Sequence, residues 1–279
     1  MVDNIIQLVI EKVSSLPCIE GIVLGGSRAR GTNTEDSDID IGIYYNSESF
    51  DLTTINQLAT ELDDEHRSNL VVPLGEWGDW VNGGGWLVIN GYHVDLILRD
   101  KKRVEKIIKD TEQGIVTANY QTGHPHGYIS AMYRGELAIS RVQYTNDENF
   151  YQLKKQAERY PTALQKGLAE FFMFEADFSL MFAENNIDKD DVSYVCGHCF
   201  RSISSLNQVL FAVNREYCIN EKKAVKMIED FKIKPNDYKG RVDKVISLIS
   251  TDVDCTRKGI EILQRLVNEV EHLKGANIQ

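Results

Sequence analysis

IVLGGSRARGTNTEDSDIDIGI, residues 22–43, decides the fold of this chain. The stretch opens on the apolar end of a buried strand, and Gly25-Gly26 then allow a tight turn in which backbone N–H groups can approach an anion. A second apolar strand follows and carries Asp38 and Asp40. Because side chains alternate along a strand, both carboxylates lie on one face, and Ile39, Ile41 and Ile43 lie on the other. The stretch therefore predicts an anion cradle beside a pair of acids.

A third acid completes this group. Two neighbouring carboxylates repel each other unless a cation lies between them, and a hard divalent cation such as Mg²⁺ prefers oxygen ligands of this kind together with phosphate oxygens. Asp95 interrupts the apolar run 92–98, where a lone acid would be costly to bury. A shared metal site would account for all three carboxylates. In such a site Asp95 is either a metal ligand or the base for an attacking hydroxyl.

These residues resemble the nucleotidyltransferase superfamily of DNA polymerase β type. The pattern of that superfamily is Gly-Ser, a spacer, an Asp-x-Asp strand and a later acid flanked by apolar residues, and Gly26-Ser27, Asp38, Asp40 and Asp95 match it in order. The chain looks most like the aminoglycoside and lincosamide nucleotidyltransferases, over about its first half. The resemblance implies an α/β (α+β) fold, in which a nucleotidyltransferase domain with a small mixed sheet precedes an all-α helical bundle.

The resemblance also implies an activity. Asp38, Asp40 and Asp95 are expected to be catalytic and to hold two Mg²⁺ ions, with ATP or another nucleoside triphosphate as the donor. The residues expected to bind the donor triphosphate are Gly26, Ser27, Arg28, Lys155 and Lys166. The expected reaction moves a nucleoside monophosphate, AMP from ATP, to a hydroxyl of a small acceptor, such as a cationic aminoglycoside or a lincosamide in antibiotic resistance. The alternative is a nucleotidyltransferase-like antitoxin or regulatory module that acts on a protein or RNA partner.

Hydrophobic periodicity divides the chain in two. Asn90-Gly91 between apolar runs predicts a hairpin that places the strand of Asp95. From about residue 146 onward helical periodicity is almost continuous, which predicts a nucleotidyltransferase domain over 1–142 and a helical domain over 143–279. The predicted elements are helices near 4–15, 51–67, 101–113, 151–158, 162–184, 191–216, 221–231 and 238–273, and strands near 19–25, 37–45, 69–74, 85–90 and 92–99.

Composition indicates which kinds of binding partner suit this chain. The net charge of −11 disfavours a surface that tracks long nucleic acid and suits a small or cationic acceptor. No apolar run is long enough to span a bilayer, and five scattered cysteines suit a reducing compartment, so we expect a cytoplasmic protein that does not enter membranes. A homodimer remains open, because some relatives build the site across two subunits.

Three further motifs have two interpretations each. The Gly123-His124-Pro125-His126-Gly127 stretch is either a simple turn or a loop that reaches a ligand. The three tryptophans around the glycines of 83–85, which are Trp77, Trp80 and Trp86, either cover the edge of the sheet or stack on a base or sugar. For Cys196-Gly197-His198-Cys199 we favour packing over redox chemistry, because the motif lies in a predicted helix far from the strands.

Overall fold

The computed structural model describes residues 2–278 and divides them into two compact units. The first unit contains residues up to 109 together with 118–123 and 127–159, and the second contains 110–117, 124–126 and the residues from 160 onward. The predicted boundary at 142/143 falls inside a strand of the first unit, which continues to Arg159. No helix within residues 2–278 has the length and apolar character needed to cross a membrane.

The first unit is built on a five-stranded mixed sheet, in the order β3-β4-β2-β1-β7. The strands are β1 Ile19–Leu24, β2 Ile39–Tyr45, β3 Gly83–Ile89, β4 Tyr92–Asp100 and β7 Arg141–Thr145. β2 and β4 run parallel, and the other neighbouring pairs run antiparallel. A two-stranded sheet of β5 Ala118–Asn119 and β6 Tyr128–Ile129 lies in the same unit. The small mixed sheet confirms the fold class predicted from the sequence.

Helices complete the first unit. They are α1 Val2–Val13, α2 Gly26–Arg30, α3 Leu52–Leu62, α4 Lys101–Glu112, of which the last three residues belong to the second unit, α5 Ala131–Ile139 and α6 Glu148–Glu158. The apolar residues of α1 and α3 form one buried cluster with Ile39, Ile41 and Ile43 of β2. Because side chains alternate along β2, the opposite face of the sheet carries Asp40 and Tyr44. The core therefore occupies one face, and the predicted acids stand on the other.

The second unit is helical. Its helices are α7 Thr162–Glu184, α8 Val192–Val213, α9 Ala224–Ile228, α10 Tyr238–Leu248 and α11 Val253–Asn277. α7 packs along α8, and α11 packs against both of them. The segment 110–117 lies close against α7, since a Cβ built on Gly167 would stand 2.2 Å from the Gly114 carbonyl oxygen. Glycine at 167 is thus required for this approach.

Two predicted elements differ from the structure. The strand near 69–74 is reduced to an isolated bridge between Val71 and Gly85, because the side chain of Asn56 occupies both the N–H and the C=O of Val71, at 2.9 and 2.8 Å. The single helix over 238–273 is broken between α10 and α11. The Asp252 carboxylate accepts the N–H of Cys255 at 2.9 Å and so starts a new helix.

A buried carboxylate at the end of α3 gives a stability prediction. The Asp63 side chain has no exposed surface and accepts hydrogen bonds from the Arg67 guanidinium and from the Val88 N–H, which is 2.9 Å away. The hydrogen bonds from Arg67 hold the pKa of Asp63 well below its usual range, despite the opposing effect of burial. Its ionised form therefore stabilises the fold.

We expect Asp63→Asn to lower the free energy of unfolding by about 1–3 kcal/mol at pH 7, because buried donors lose a charged acceptor. The folded-state pKa lies below the unfolded value, so the difference from wild type is present above about pH 4 and shrinks as pH falls further. Urea unfolding at pH 7 and at pH 3 measures both effects. The neighbouring exposed Glu65→Gln is the matched control and should change little; an equal loss in both variants would contradict the prediction.

Candidate active site

One row of residues crosses the open face of the first unit's sheet. Asp40 on β2 and Asp95 on β4 are direct register partners, and Trp86 on β3 is the register partner of Asp95. On the other side, the Gly25 N–H donates to the backbone oxygen of Asp40 at 2.8 Å. Register partners on neighbouring strands share a face. The row therefore reads Trp86, Asp95, Asp40, Gly25, with two acids at its centre.

The acids perturb one another. Burial, followed by the charge of Asp38, raises the pKa of Asp40, and Arg28 opposes this rise. Burial, followed by the charges of Asp40 and Asp38, raises the pKa of Asp95 to about 6. Asp38 itself is exposed and stands one residue before β2, outside the strand in which the sequence placed it. The structure thus brings together all three predicted carboxylates, with Asp40 and Asp95 in the sheet and Asp38 on the loop that enters it.

Gly26 holds the backbone against this acid pair. Its φ is +58°, and a Cβ built on it would stand 1.7 Å from Oδ2 of Asp40. Any other residue would displace the carboxylate, so the approach requires glycine. The tight turn predicted at Gly25-Gly26 leads directly into α2, a five-residue helix that contains both Gly26 and Ser27.

Arg28 is engaged with the loop before β2. Its guanidinium donates to the backbone oxygen of Asp38 at 3.1 Å and also to the backbone oxygens of Ser37 and Glu35. These bonds fix the backbone that carries Asp38. Arg28 therefore acts in this structure as a positioning residue for the acids, and its contact with a phosphate remains a prediction.

The two predicted lysines belong to different units. Lys155 is exposed on α6, within the first unit, whereas the sequence assigned it to the helical domain. Lys166 is exposed on α7, within the second unit. The neighbouring Lys154 is buried instead, and its ammonium donates to the backbone oxygen of Ala138 at 2.7 Å and to Glu158 at 2.8 Å. Triphosphate binding by Lys155 and Lys166 stays a prediction.

A pair of tryptophans stands at the Asp95 end of the row. The Trp77 and Trp86 rings stack with centroids 4.7 Å apart, and Trp86 is 61% exposed. Trp77 lies over Gly84, where a Cβ would come within 2.6 Å of its ring. The glycine-rich segment therefore seats one indole and leaves the other open beside Asp95. A flat, exposed ring of this kind suits stacking against a ligand.

The structure adds an ion pair that the sequence analysis missed. Arg99 follows Asp95 on the same face of β4, and its guanidinium forms two bonds with the Glu136 carboxylate, at 2.8 and 2.9 Å. Arg99 is buried and also lies 5.1 Å from the centre of the Tyr133 ring. Glu136 contributes to the raised pKa of Asp40, so it is a fourth acid near the row, with its charge balanced by Arg99. No local motif signals it, because the partner comes from α5, which the sequence did not predict.

Both histidines of the 123–127 loop are held within the second unit. Nδ1 of His124 lies 3.1 Å from Glu221, which also accepts the backbone N–H of His126 at 2.9 Å. The His126 ring lies near Glu175 and Ser205, with Nε2 at 3.8 and 3.4 Å. These contacts favour the structural interpretation of the loop. Cys199 is buried in α8 while Cys196 is exposed, and both are free thiols.

The donor set at the row suits a divalent cation. Residues 2–278 contain no group of three or more His, Cys, Asp or Glu side chains arranged as a ready-made metal centre. Asp40 and Asp95 nevertheless stand side by side in register, and burial together with the charges of the neighbouring acids raises the pKa of both. A hard cation with oxygen ligands would relieve that repulsion. The residues present therefore fit Mg²⁺.

Comparison with known proteins agrees with this geometry. Residues 3–117 match the family model described as the nucleotidyltransferase domain. The superfamily predicted from the residues is thereby supported, and nucleotidyl transfer is the general activity of such a domain. The aminoglycoside and lincosamide branch stays a prediction.

One similar solved structure is a nucleotidyltransferase-like protein from Exiguobacterium sibiricum 255-15, with 10% sequence identity and a TM-score of 0.48. The match covers 99% of this chain and 78% of that one. No curated protein sequence gave a significant match.

Proposed function

We propose that this chain transfers AMP from ATP to a hydroxyl of a small acceptor, and that the acceptor is cationic, as in an aminoglycoside, or a lincosamide. The observation that carries the proposal is the register pair of Asp40 and Asp95 beside the backbone of Gly26. This arrangement joins paired carboxylates to a glycine backbone that approaches Asp40 more closely than any other residue could. The net charge of −11 favours a cation over an anion as the second substrate.

Asp38, Asp40 and Asp95 would hold Mg²⁺. When bound, Mg²⁺ supplies charge neutralisation for the triphosphate and the leaving pyrophosphate. The chain's own residues have other tasks. Gly26 and Ser27 would bind phosphate oxygens, and Arg28 would keep Asp38 in place through its bonds to the loop backbone.

The proposal places the two substrates on opposite sides of the row. The glycine cradle adjoins Asp40, whereas the Trp77–Trp86 pair adjoins Asp95. A donor triphosphate over the cradle leaves the Asp95 end for the acceptor. Asp95 is then the acid nearest to the acceptor hydroxyl and would take its proton, and the open indole of Trp86 would support an apolar ring face of the acceptor.

The test is a transfer assay with the full chain. ATP labelled on the α-phosphate and Mg²⁺ are incubated with aminoglycosides, lincosamides and candidate protein partners, and labelled product is measured. We expect labelled small molecule from wild type and none from Asp95→Asn. Label on a protein partner would instead support the regulatory alternative. Absence of any Mg²⁺-dependent ATP affinity in calorimetry would overturn nucleotidyl transfer altogether.

Trp86→Ala tests the placement of the acceptor. We expect this variant to raise KM for the labelled acceptor about tenfold, because one exposed stacking surface is removed, while KM for ATP changes less than about twofold. Trp86→Phe, which keeps a ring, is the matched control and should restore most of the affinity. If KM for ATP rises instead, the indole stacks on the nucleotide base and the two sides of the row are reversed.

A further inference from the structure

α7 displays an aromatic stripe on its outer surface. Phe171, Phe174 and Phe178 are 42%, 69% and 46% exposed, and they follow one another at helical spacing. Exposed phenylalanines scattered singly need no explanation, but a contiguous group on one helix face marks a binding surface. The stripe belongs wholly to the second unit.

These rings form one wall of a groove between α7 and α8. The groove has a volume of about 670 Å³, within the range of small-molecule sites, and its floor and walls include Phe174, Phe178, Phe182 and His198. Phe174 stacks on Phe178, Phe178 meets Phe182 edge-on, and Phe182 stacks on His198 with centroids 5.2 Å apart. The rings thus make a continuous aromatic lining; we call this space the α7–α8 groove.

The charges around the α7–α8 groove are mostly negative. Between residues 167 and 184, α7 contains four acids and no lysine or arginine. Glu175 is paired with Arg201, the one arginine that lines the groove. Glu170 lines both this groove and an adjoining one of about 460 Å³, which also contains Asp177. The acid left over in the lining of the α7–α8 groove is therefore Glu170. In the adjoining groove, Lys274 pairs with Glu271 at 3.1 Å, and Asp177 is the acid left over there.

His198 adds a neutral polar group to the lining. Burial, followed by the charge of Arg201, lowers the pKa of His198, so its ring contributes no positive charge at neutral pH. Its Nδ1 atom is buried and has no hydrogen-bond partner among the described residues 2–278. Nδ1 of His198 is therefore a polar atom within the otherwise aromatic wall that a ligand in the groove would contact.

We infer that the α7–α8 groove binds a small organic cation with an aromatic or alkyl body, a ligand site separate from the proposed transfer reaction. The rings accept the apolar body and attract the cation through their faces, while the Glu170 carboxylate complements its charge from within the groove lining. A second copy of this chain fits less well, because its own α7 would bring the same acids against these ones. The groove's size and its charge together favour a small cation.

Three naphthalene compounds of matched size test the inference on the full chain: 1-naphthylmethylammonium, neutral 1-naphthalenemethanol and anionic 1-naphthoate. Binding is followed by calorimetry and ligand-observed NMR. We expect the ammonium compound to bind about tenfold or more tightly than the alcohol, because it adds cation–π and charge attraction, and we expect the anion to bind most weakly. High salt should narrow the difference between the cation and the alcohol.

Variants locate the binding. Phe174→Ala should weaken binding of the ammonium compound about fivefold or more, and Glu170→Gln should narrow its advantage over the alcohol about threefold. The controls are Phe200→Ala, an exposed phenylalanine of α8 outside the groove lining, and Glu261→Gln on α11. Equal binding of the alcohol and the cation, no binding of the cation at millimolar concentration, or equal losses in the controls would overturn the inference. Sedimentation showing a dimer that Phe174→Ala dissociates would assign the face to a second copy and overturn it as well.

Discussion

Asp40→Asn is expected to lower the rate of nucleotidyl transfer by at least about a thousandfold while the protein stays folded, since metal-assisted phosphoryl chemistry depends on its carboxylate ligands. Asp40 is the central acid, with Asp95 in register on one side and the Gly26 backbone on the other. No other described side chain occupies its place between them. Replacing the Asp40 carboxylate with an amide removes a charged metal ligand and leaves the shape of the side chain almost unchanged.

The same variant should be more stable than wild type without metal. Burial and neighbouring acids raise the folded-state pKa of Asp40, so its ionised form destabilises the fold at neutral pH. This cost is present above the folded pKa and disappears as pH falls below the unfolded value near 4. In chelator at pH 7.5 we expect Tm to rise by about 2–5 °C in Asp40→Asn, and Mg²⁺ to raise Tm of wild type only.

Asp36→Asn is the matched control, because Asp36 is exposed in the loop before β2. It should leave both activity and metal response near wild type. An Asp40→Asn protein that keeps more than about a tenth of wild-type activity would remove Asp40 from the metal site. If Asp40→Asn instead has a lower Tm than wild type in chelator, the ionised Asp40 carboxylate stabilises the metal-free fold. That result would contradict the predicted destabilisation by burial and neighbouring acids.

Gly26→Ala is expected to lower activity about a hundredfold or more, because the added Cβ would occupy the position of the Asp40 carboxylate, 1.7 Å from Oδ2. The carboxylate or the backbone must move to accommodate it. The positive φ of Gly26 adds a conformational cost of about 1 kcal/mol for alanine. Measured transfer rates report the displacement of the Asp40 carboxylate, and urea unfolding reports the conformational cost of the positive φ.

Gly31→Ala separates strain from collision. Gly31 ends α2 with φ +73°, and a Cβ built there would meet nothing within 4 Å. Gly31→Ala therefore has the same kind of conformational free-energy cost as Gly26→Ala, but its Cβ does not contact the acids. We expect it to lose about 1 kcal/mol of stability and to retain its activity. Comparable activity losses in both variants would mean that the flexibility of α2, and not the approach of Gly26 to Asp40, determines the rate.

The sequence predicted local structure correctly where a residue type at a given position has only one physical explanation. Glycines at 25 and 26, acids inside apolar runs and the Asn90-Gly91 hairpin signal predicted the strands and the group of acids, whereas the mixed sheet was implied by the family resemblance. The register of Asp40 with Asp95 lay beyond the sequence, because alternation determines the face of a strand but not its neighbour. That parallel pairing, and the place of Trp86 beside it, came only from the fold.

Elements held by distant side chains were harder to predict. β7 joins the sheet beside β1, more than one hundred residues earlier in the chain, and the Arg99–Glu136 pair depends on α5. Asn56 ends a predicted strand by taking both backbone groups of Val71. In each case the deciding partner is remote in sequence, so local periodicity carries no trace of it.

The passage of the chain between its two units has a consequence for how the protein can be divided. Residues 110–117 and 124–126 belong to the helical unit although they precede the end of the first one, and Gly114 lies against Gly167 of α7. A cut after Arg159 would leave these segments, with His124 and its bond to Glu221, on the wrong fragment. Recombination at a single point would therefore not transfer either unit intact.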